Sequence, residues 1–240
     1  MAEYLLGLKD RQEVAKDTMA FWFETPRAGY TFKAGQSADF ILVDPPETDG
    51  EGNARTFSFA SSPNNRASFM VAMRMRATAF KKTLQAIPLG TGIKVSSAMG
   101  SFTLHKDSSR PAVFLAGGIG ITPIRSIIGW ATEEQLPHRL YLFYSNRTPG
   151  EVAFLDRLES WSRQNRNFKL IPTVTASSYS TWPYEFGRID REMLTKHLPE
   201  IENSVYYLSG PPAMVAAMRQ LLEDLGVSED NLKTEEFAGY

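Results

Sequence analysis

Residues 111–123 (PAVFLAGGIGITP) join a short apolar run to three closely spaced glycines and then to Thr122 and Pro123. The run has the length of a buried strand, and threonine followed by proline is typical of a helix N-cap and the first helical position. The glycines are Gly117, Gly118 and Gly120. A strand that turns through them into a helix directs unpaired N–H groups and the positive end of the helix dipole at one point, which suits a pyrophosphate. An ordinary tight turn explains the glycines equally well, because their spacing is not that of the G-x-G-x-x-G fingerprint.

A second cluster of chemically useful side chains is formed by Arg55, Thr56, Phe57 and Ser58. An arginine can hold a phosphate with two hydrogen bonds, an aromatic ring can stack on a flat ligand, and a hydroxyl can donate to a ring nitrogen. On a regular strand Arg55 and Phe57 share one face, while Thr56 and Ser58 share the other. A bend is needed for all four to reach one ligand, so a plain amphipathic strand is the alternative interpretation.

Two further polar clusters follow apolar runs in the second half of the chain, Ser145-Asn146-Arg147 and Ser209-Gly210-Pro211-Pro212. If those runs are parallel strands, both clusters lie at carboxyl ends, where doubly wound sheets bind their ligands. Arg147 follows the second such strand, where an arginine can face an adenosine 2′-phosphate; a solvent-facing loop arginine is the alternative. The loop therefore favours a dinucleotide that carries this phosphate.

The elements that must position these clusters differ between the two halves of the chain. Residues 3–105 predict short strands separated by turn residues, at a spacing typical of an antiparallel barrel or sandwich. The predicted strands are 13–25, 37–43, 55–61, 68–76 and 93–97, with one helix at 78–87. Residues 44–53 (DPPETDGEGN) have the composition of a loop.

The pattern changes at the polar stretch 106–110, after which strands alternate with helices. The predicted strands are 111–116, 139–144, 168–175, 205–208 and 232–237, and the predicted helices are 122–132, 151–163, 190–197 and 211–225. Such alternation predicts a doubly wound parallel sheet with helices on both faces. We therefore predict two domains, residues 1–107 and 108–240.

The composition of the 240 residues excludes several classes of site. There is no cysteine, which removes disulfides, thiolate nucleophiles and cysteine-ligated zinc or iron–sulfur clusters. The three histidines, His105, His138 and His197, are scattered, so we expect surface residues and no metal site. A net charge of −1, no apolar run of spanning length and no signal-peptide pattern predict a cytoplasmic protein without nucleic-acid or membrane partners.

Three motifs in order resemble the signatures of the ferredoxin–NADP reductase family, R-x-[YF]-S, G-G-x-G-x-[TS]-P and C-G-P-P-x-M. They are Arg55 to Ser58, Gly117 to Pro123, and Ser209 to Met214. Gly35-Gln36 and Met99-Gly100-Ser101-Phe102 also resemble barrel turns of that family. The resemblance, which spans about residues 32–214, implies an N-terminal antiparallel Greek-key β-barrel that binds FAD, followed by a doubly wound NAD(P)-binding domain.

On the flavin side, the resemblance implies a role for each matching residue. Arg55 would bind the flavin's phosphate, Phe57 would lie against the isoalloxazine, and Ser58 would hydrogen-bond near N5, with Thr56 in the same motif. The rest of the implied cofactor site is the helix start Ala79-Phe80-Lys81, for the pyrophosphate, and the strand backbone at Met73 and Arg74.

On the nicotinamide side, the resemblance implies that the loop from Gly117 through Thr122 to Pro123 carries the dinucleotide's pyrophosphate. Ser209 and Gly210, followed by Pro211 and Met214, would border the nicotinamide where it meets the flavin. A hydride would then pass from nicotinamide C4 to flavin N5, with the protein supplying orientation.

The sequence departs from the family pattern at three positions. Ser209 stands in place of cysteine, Phe57 in place of the commoner tyrosine, and Lys81 in place of serine. Lys81 would either pair with the flavin phosphates or point to solvent. At the C-terminus, Tyr240 would stack on the flavin with Glu236 as a nearby proton carrier, or the terminus is frayed.

The resemblance implies an FAD-dependent oxidoreductase that takes hydride from NADPH or NADH and passes electrons to a separate carrier such as ferredoxin, flavodoxin or an oxygenase component. We expect a stand-alone member of the family, because no cysteine is present to hold an iron–sulfur cluster. A flavin or ferric reductase is the second interpretation. A non-catalytic flavin-binding docking subunit is the third, and the retention of Ser58 and of the three loop glycines argues against it.

Overall fold

A computed structural model describes residues 2–25, 29–176 and 181–237. Its first half forms a six-stranded antiparallel sheet with the order β4-β3-β6-β1-β2-β5. The elements are β1 (Glu3–Ala15), β2 (Thr18–Glu24), β3 (Ser37–Leu42), β4 (Ala54–Ser58), β5 (Ser68–Arg74), α1 (Ala79–Ala86) and β6 (Gly92–Ser96). The sheet curls into a barrel-like shape that is not closed, and a single bridge between Phe59 and Val71 links its two ends.

The first sheet corrects one predicted strand, residues 13–25. Its start is the end of the long strand β1, which pairs with β6 through residues 3–7 and with β2 through residues 8–15. The chain then reverses at Asp17, which has a left-handed φ of 55°, and β2 begins. Aspartate tolerates this conformation, but the turn contains neither glycine nor proline, so the usual turn signal is missing.

The second half forms a six-stranded parallel sheet with the order β10-β9-β8-β7-β11-β12. Its strands are β7 (Ala112–Gly117), β8 (Leu140–Asn146), β9 (Phe168–Val174), β10 (Glu185–Phe186), β11 (Val205–Gly210) and β12 (Leu232–Glu236). The helices are α2 (Ile121–Glu133), α3 (Leu155–Gln164), α4 (Arg191–His197) and α5 (Pro212–Glu223). Helices α2 and α3 cover one face of the sheet, and α4 and α5 cover the other. The predicted doubly wound fold is confirmed; only the short edge strand β10 was not predicted.

The strand order places a topological switch point between β7 and β11. The connection from β7 leads to β8 on one side, whereas β11 lies on the other side and leads to β12. The connections that leave the carboxyl ends of β7 and β11 therefore run to opposite sides. The crevice between these connections is the usual ligand site of this fold. The glycine loop after β7 and the Ser209-Gly210 segment of β11 both lie there.

The start of α2 differs from the sequence prediction. Gly118–Gly120 form one turn of 3-10 helix, and α2 follows directly from Ile121. Thr122 is therefore inside the helix rather than its N-cap, and its buried hydroxyl donates to the carbonyl of Ile119. The 3-10 turn replaces the cap, since it continues straight into the α-helix.

The predicted joint at residues 106–110 lies between the two sheets, after β6 and before β7. All three histidines, expected at the surface, are buried or half-buried, and His105 and His138 lie beside this joint. His138 is 6% exposed and its Nε2 lies 2.9 Å from the carbonyl of His105, whose own backbone N–H donates to the hydroxyl of Tyr207. The exact boundary between residues 107 and 108 stays a prediction.

Within the described part of the chain, no helix has the length and apolar composition required to cross a membrane.

Candidate functional site

At the N-terminus of α1, a guanidinium and a backbone amide converge on one anion. Arg55 on β4 donates from Nη2 to Oδ1 of Asp49 at 2.9 Å, and the backbone N–H of Ala79 donates to Oδ2 of the same carboxylate at 3.0 Å. These donors and the hydrogen bond from the backbone N–H of Glu51 lower the pKa of Asp49. The two groups expected to hold the flavin phosphates therefore already hold a carboxylate, which demonstrates that they can bind an anion together.

Other cations surround this point. The ammonium of Lys81 donates to the carbonyl of Arg74 at 2.7 Å, so this side chain does not simply point to solvent. Burial, together with the neighbouring charges of Arg76 and Arg55, lowers the pKa of Lys81. Phe80 lies beneath the guanidinium of Arg55, with 5.4 Å from Cζ to the ring centroid. The start of α1 is therefore a cationic surface with an aromatic floor.

The alternation along β4 separates the residues of its motif. Phe57 shares the face of Arg55 and packs near Phe80, with 5.8 Å between ring centroids. Thr56 is exposed on the other face, and its hydroxyl donates to Asp39. The side chain of Thr56 is therefore not brought to the site. Ser58, at the end of the strand, is buried.

Strand β5 lies at an edge of the first sheet, so its backbone is placed to line a ligand as expected. The side chain of Met73 is buried in the barrel core. That of Arg74 instead forms an ion pair with Glu151, which belongs to the loop after β8, at 3.3 Å. Arg74 thereby connects the first sheet to the second.

In the crevice between β7 and β11, glycines allow two backbone segments to approach closely. A Cβ on Gly120 would overlap the carbonyl of Ser209, and one on Gly117 would overlap the sulfur of Met214 and lie 3.0 Å from Pro211 Cδ. Gly118 has a left-handed φ of 53°. The N–H of Ile121, at the start of α2, donates to the carbonyl of Gly118, so the N–H groups available to an anion are those of the preceding 3-10 turn, Gly118–Gly120. No side chain of the described residues caps that turn. Thr122 and Pro123 are buried and contribute no side chain to this surface.

The rim of the same crevice holds buried polar atoms. Within the described ranges, the hydroxyl of Ser209 and both amide atoms of Asn146 have no hydrogen-bond partner. Buried polar groups are nearly always paired, so unpaired ones at a crevice point to a ligand. Ser145 is half-buried, and Arg147 is exposed at the end of this rim, accessible to a phosphate.

The two halves of the site meet at Ser58 and Glu235. The hydroxyl of Ser58 donates to Oε1 of Glu235 at 2.7 Å, and Glu235 on β12 is the direct neighbour of Ser209 on β11. Burial raises the pKa of Glu235, and the hydrogen bond from Ser58 opposes this only in part. Oε2 of Glu235 is buried and has no partner within the described ranges. This carboxyl is therefore able to carry a proton next to Ser58.

Glu236, the residue expected to carry a proton, lies on the other face of β12 from Glu235. Successive strand residues face opposite sides, so Glu235 and Glu236 cannot both reach Ser58. Glu236 is exposed and lines a groove with α5 residues that include Arg219. Tyr240 lies outside the described residues.

A groove of about 490 Å³ leads from the surface to Glu235. Its walls are the barrel turns at Gly35 and Gly100–Phe102 and the edge strand β12. These are the two turns that the sequence analysis matched, and a bridge between Ser37 and Met99 holds them side by side. The groove gives the buried carboxyl a route to solvent.

Two residues of the site were missed from the sequence. Asp49 lies in a loop without periodicity and meets Arg55 only through the fold. The sequence analysis chose Glu236 instead of Glu235, although alternation along a strand required one of these two side chains to face inward. Assigning each residue of β12 to a face of the sheet, starting from the position beside Ser209, would have identified Glu235.

Comparisons with known proteins identify the class of fold to which this geometry belongs. Residues 114–220 match the family described as Oxidoreductase NAD-binding domain. The fold is that of a ferredoxin NADP+ reductase from Neisseria gonorrhoeae with bound FAD and NADP, at a TM-score of 0.81, 20% identity, and coverage of 98% of this chain and 99% of that one.

Among curated relatives, the reductase component 1 of terephthalate 1,2-dioxygenase from Comamonas sp is 24% identical over 86% of this chain and 60% of its own length. The reductase component of propane 2-monooxygenase from Rhodococcus jostii is 27% identical over 88% of this chain and 56% of its own length. The chain thus spans less than two thirds of these relatives. Residues 114–220 thus match an oxidoreductase NAD-binding domain, and the whole chain is similar in fold to a ferredoxin NADP+ reductase.

Proposed function

We propose that this chain is an FAD-dependent NAD(P)H oxidoreductase that passes electrons to a separate carrier. The observation that carries the proposal is the hydrogen bond between Ser58 and Glu235, because it joins the Arg55–Ser58 strand to the crevice of the parallel sheet. A flavin held by the first half and a nicotinamide held by the second would meet there.

The residues present fit a flavin. Arg55 and the N-terminus of α1 already bind the carboxylate of Asp49. Because a phosphate also presents charged oxygens, the same two groups would hold the flavin's phosphates. Phe57 and the backbone of β5 would line the ring system. When bound, FAD supplies the ability to accept two electrons from a nicotinamide and to release them singly.

The residues of the crevice fit a nicotinamide dinucleotide. The uncapped 3-10 turn Gly118–Gly120 before α2 would hold its pyrophosphate. Ser209 and Gly210 would border its nicotinamide, and Arg147 would face the 2′-phosphate of NADPH. Glu235, rather than Glu236, would hold a proton at Oε2 and exchange it with solvent through the groove. Ser58 would orient that carboxyl, to which its single O–H donates.

The names of the relatives support the choice of acceptor. Both curated relatives above are reductase components of oxygenases, and the third similar protein is a ferredoxin NADP+ reductase. We infer that the acceptor is a protein such as an oxygenase component, ferredoxin or flavodoxin, and that the enzyme works in the cytoplasm. Packing alone requires glycine at positions 117 and 120, so these two glycines no longer argue against the docking-subunit alternative.

An anaerobic absorbance titration tests the proposal. The purified protein, supplied with FAD, is expected to show a flavin spectrum that bleaches on addition of NADPH or NADH and returns on addition of an oxidised protein carrier. A protein that takes up no FAD would overturn the proposal. Bleaching that only free flavin or an iron chelate reverses would instead favour the flavin or ferric reductase.

A further inference from the structure

The acidic loop, residues 44–53, places a carboxylate on the groups that a flavin phosphate needs. Asp49 accepts from Arg55 Nη2 at 2.9 Å and from the backbone N–H of Ala79 at 3.0 Å. These are the side-chain and main-chain donors assigned above to the cofactor. One anion at this point excludes a second, because both would need the same two donors and would repel each other.

The loop holds Arg55 by several further contacts. Nη1 of Arg55 donates to the carbonyls of Glu51 and Gly52 at 3.0 Å and to that of Ala54 at 2.7 Å. The carboxylate of Glu51 also lies 2.9 Å from Nη2, but its side chain is 74% exposed, against 15% for Arg55. Of the two acids, only Asp49 reaches the helix terminus as well as the arginine.

The loop is also built to be displaced. It contains four acidic residues and no basic residue, so it is attracted to the cations around α1 without hydrophobic anchoring. A Cβ on Gly50 or Gly52 would meet nothing within 4 Å, so no group packs against the side of the backbone where that atom would lie. The contacts that close the loop are therefore polar and replaceable by a stronger anion.

We propose that Asp49 is an internal competitor for the flavin phosphate, so that cofactor binding requires the acidic loop to release Arg55 and the N-terminus of α1. The proposal rests on the proposed flavin function and deepens it. A site that must first open binds its ligand more weakly by the fraction of open molecules. The flavin of this protein is then exchangeable, and Asp49 determines how readily it enters.

Fluorescence titration of the apoprotein with FAD tests this, together with stopped-flow measurement of the association rate. Asp49→Asn keeps the shape of the side chain and removes its charge. We expect it to bind FAD about tenfold more tightly than the unmodified protein, with the gain in the association rate. Glu47→Gln is the matched control, because Glu47 is an exposed acid of the same loop and its loss removes the same unit charge. We expect its affinity to stay within about twofold.

Each other outcome has a definite meaning. Equal FAD affinity in the unmodified protein and in Asp49→Asn would overturn the competition while leaving the flavin function intact. Weaker binding by Asp49→Asn would also overturn it, since Asp49 would then support the bound cofactor. Equal gains in FAD affinity for Asp49→Asn and Glu47→Gln would mean that the loss of one negative charge, and not the end of competition by Asp49, causes the effect. Failure of every form to bind FAD would overturn the proposed function itself. Asp49→Ala, which also removes the hydrogen bonds, repeats the test if the asparagine variant does not fold.

Discussion

The two anion-binding places of this molecule are built differently. At α1 the donors are a long charged side chain and one helix amide, and an acid of the chain's own loop occupies them. Before α2 the donors are the backbone groups of the uncapped 3-10 turn Gly118–Gly120, held by glycines in contact with a neighbouring strand. The first place can adjust, because side chains and a polar loop move, whereas the second is fixed by backbone packing. We therefore expect mutations at the second place to cost stability and those at the first to change cofactor affinity.

The strongest test of this difference is Gly120→Ala. The new methyl group would overlap the backbone carbonyl of Ser209, which cannot turn aside as a flexible side chain can. We expect a loss of about 3 kcal/mol in the free energy of unfolding, measured by urea denaturation. Gly150→Ala is the control, since nothing lies within 4 Å of a Cβ there. A Gly120→Ala protein as stable as the control would mean that the crevice is loosely packed.

Arg55→Ala is the counterpart at the adjustable place. Loss of a charged hydrogen-bond donor costs about 1.5–3 kcal/mol, so we expect FAD to bind roughly tenfold to a hundredfold more weakly. The measurement is a fluorescence titration with FAD. Arg66→Ala, which removes an exposed arginine from the turn before β5, controls for charge. If both variants bind FAD equally well, the phosphate does not lie at Arg55.

Arg147→Ala extends the comparison to the nicotinamide. Arg147 is exposed at the end of β8, where a side chain can reach an adenosine 2′-phosphate. We expect KM for NADPH to rise about tenfold and KM for NADH to change little, because only NADPH carries that phosphate. Arg163→Ala, another exposed arginine, is the control. Equal increases for both coenzymes would reject this role.

How far the sequence predicts each region depends on how local its determinants are. The parallel half followed from alternating apolar runs and helix periodicity, which are local, so its main strands and helices lie where the runs predict. The glycine loop followed from its residue types. Phe154, in contrast, has a left-handed φ of 63° before α3, and no signal marks such a residue when it is not glycine.

The candidate site was less predictable, because its contacts join distant residues. Asp49 meets Ala79 and Ser58 meets Glu235 across 30 and 177 positions of the chain. No spacing rule relates such residues, and only the closing of the sheets brings them together. The choice between Glu235 and Glu236 was a matter of strand face, which depends on the register of β12 against β11.

The smallest expected effect tests the register of β12 through the pH dependence of the free energy of unfolding. The pKa of Glu235 is raised in the folded state, chiefly by burial, so the native protein binds more protons than the unfolded chain between the ordinary glutamate pKa and the raised one. Stability contributed by this group is therefore present at low pH and falls as pH rises through that window. One group changes the free energy of unfolding by at most about 1.4 kcal/mol per pH unit.

Urea denaturation from pH 4 upward, at half-unit steps, measures this slope. Glu235→Gln is expected to lose the fall in stability that the unmodified protein shows above the ordinary glutamate pKa of about 4.3. Glu236→Gln, which removes the exposed neighbour, is expected to retain it. If Glu236→Gln alone removes the slope, the strand presents the opposite face to Ser58. Glu236 would then be the proton carrier, as the sequence analysis predicted. The contact between Ser58 and Glu235 would no longer join the two halves of the site.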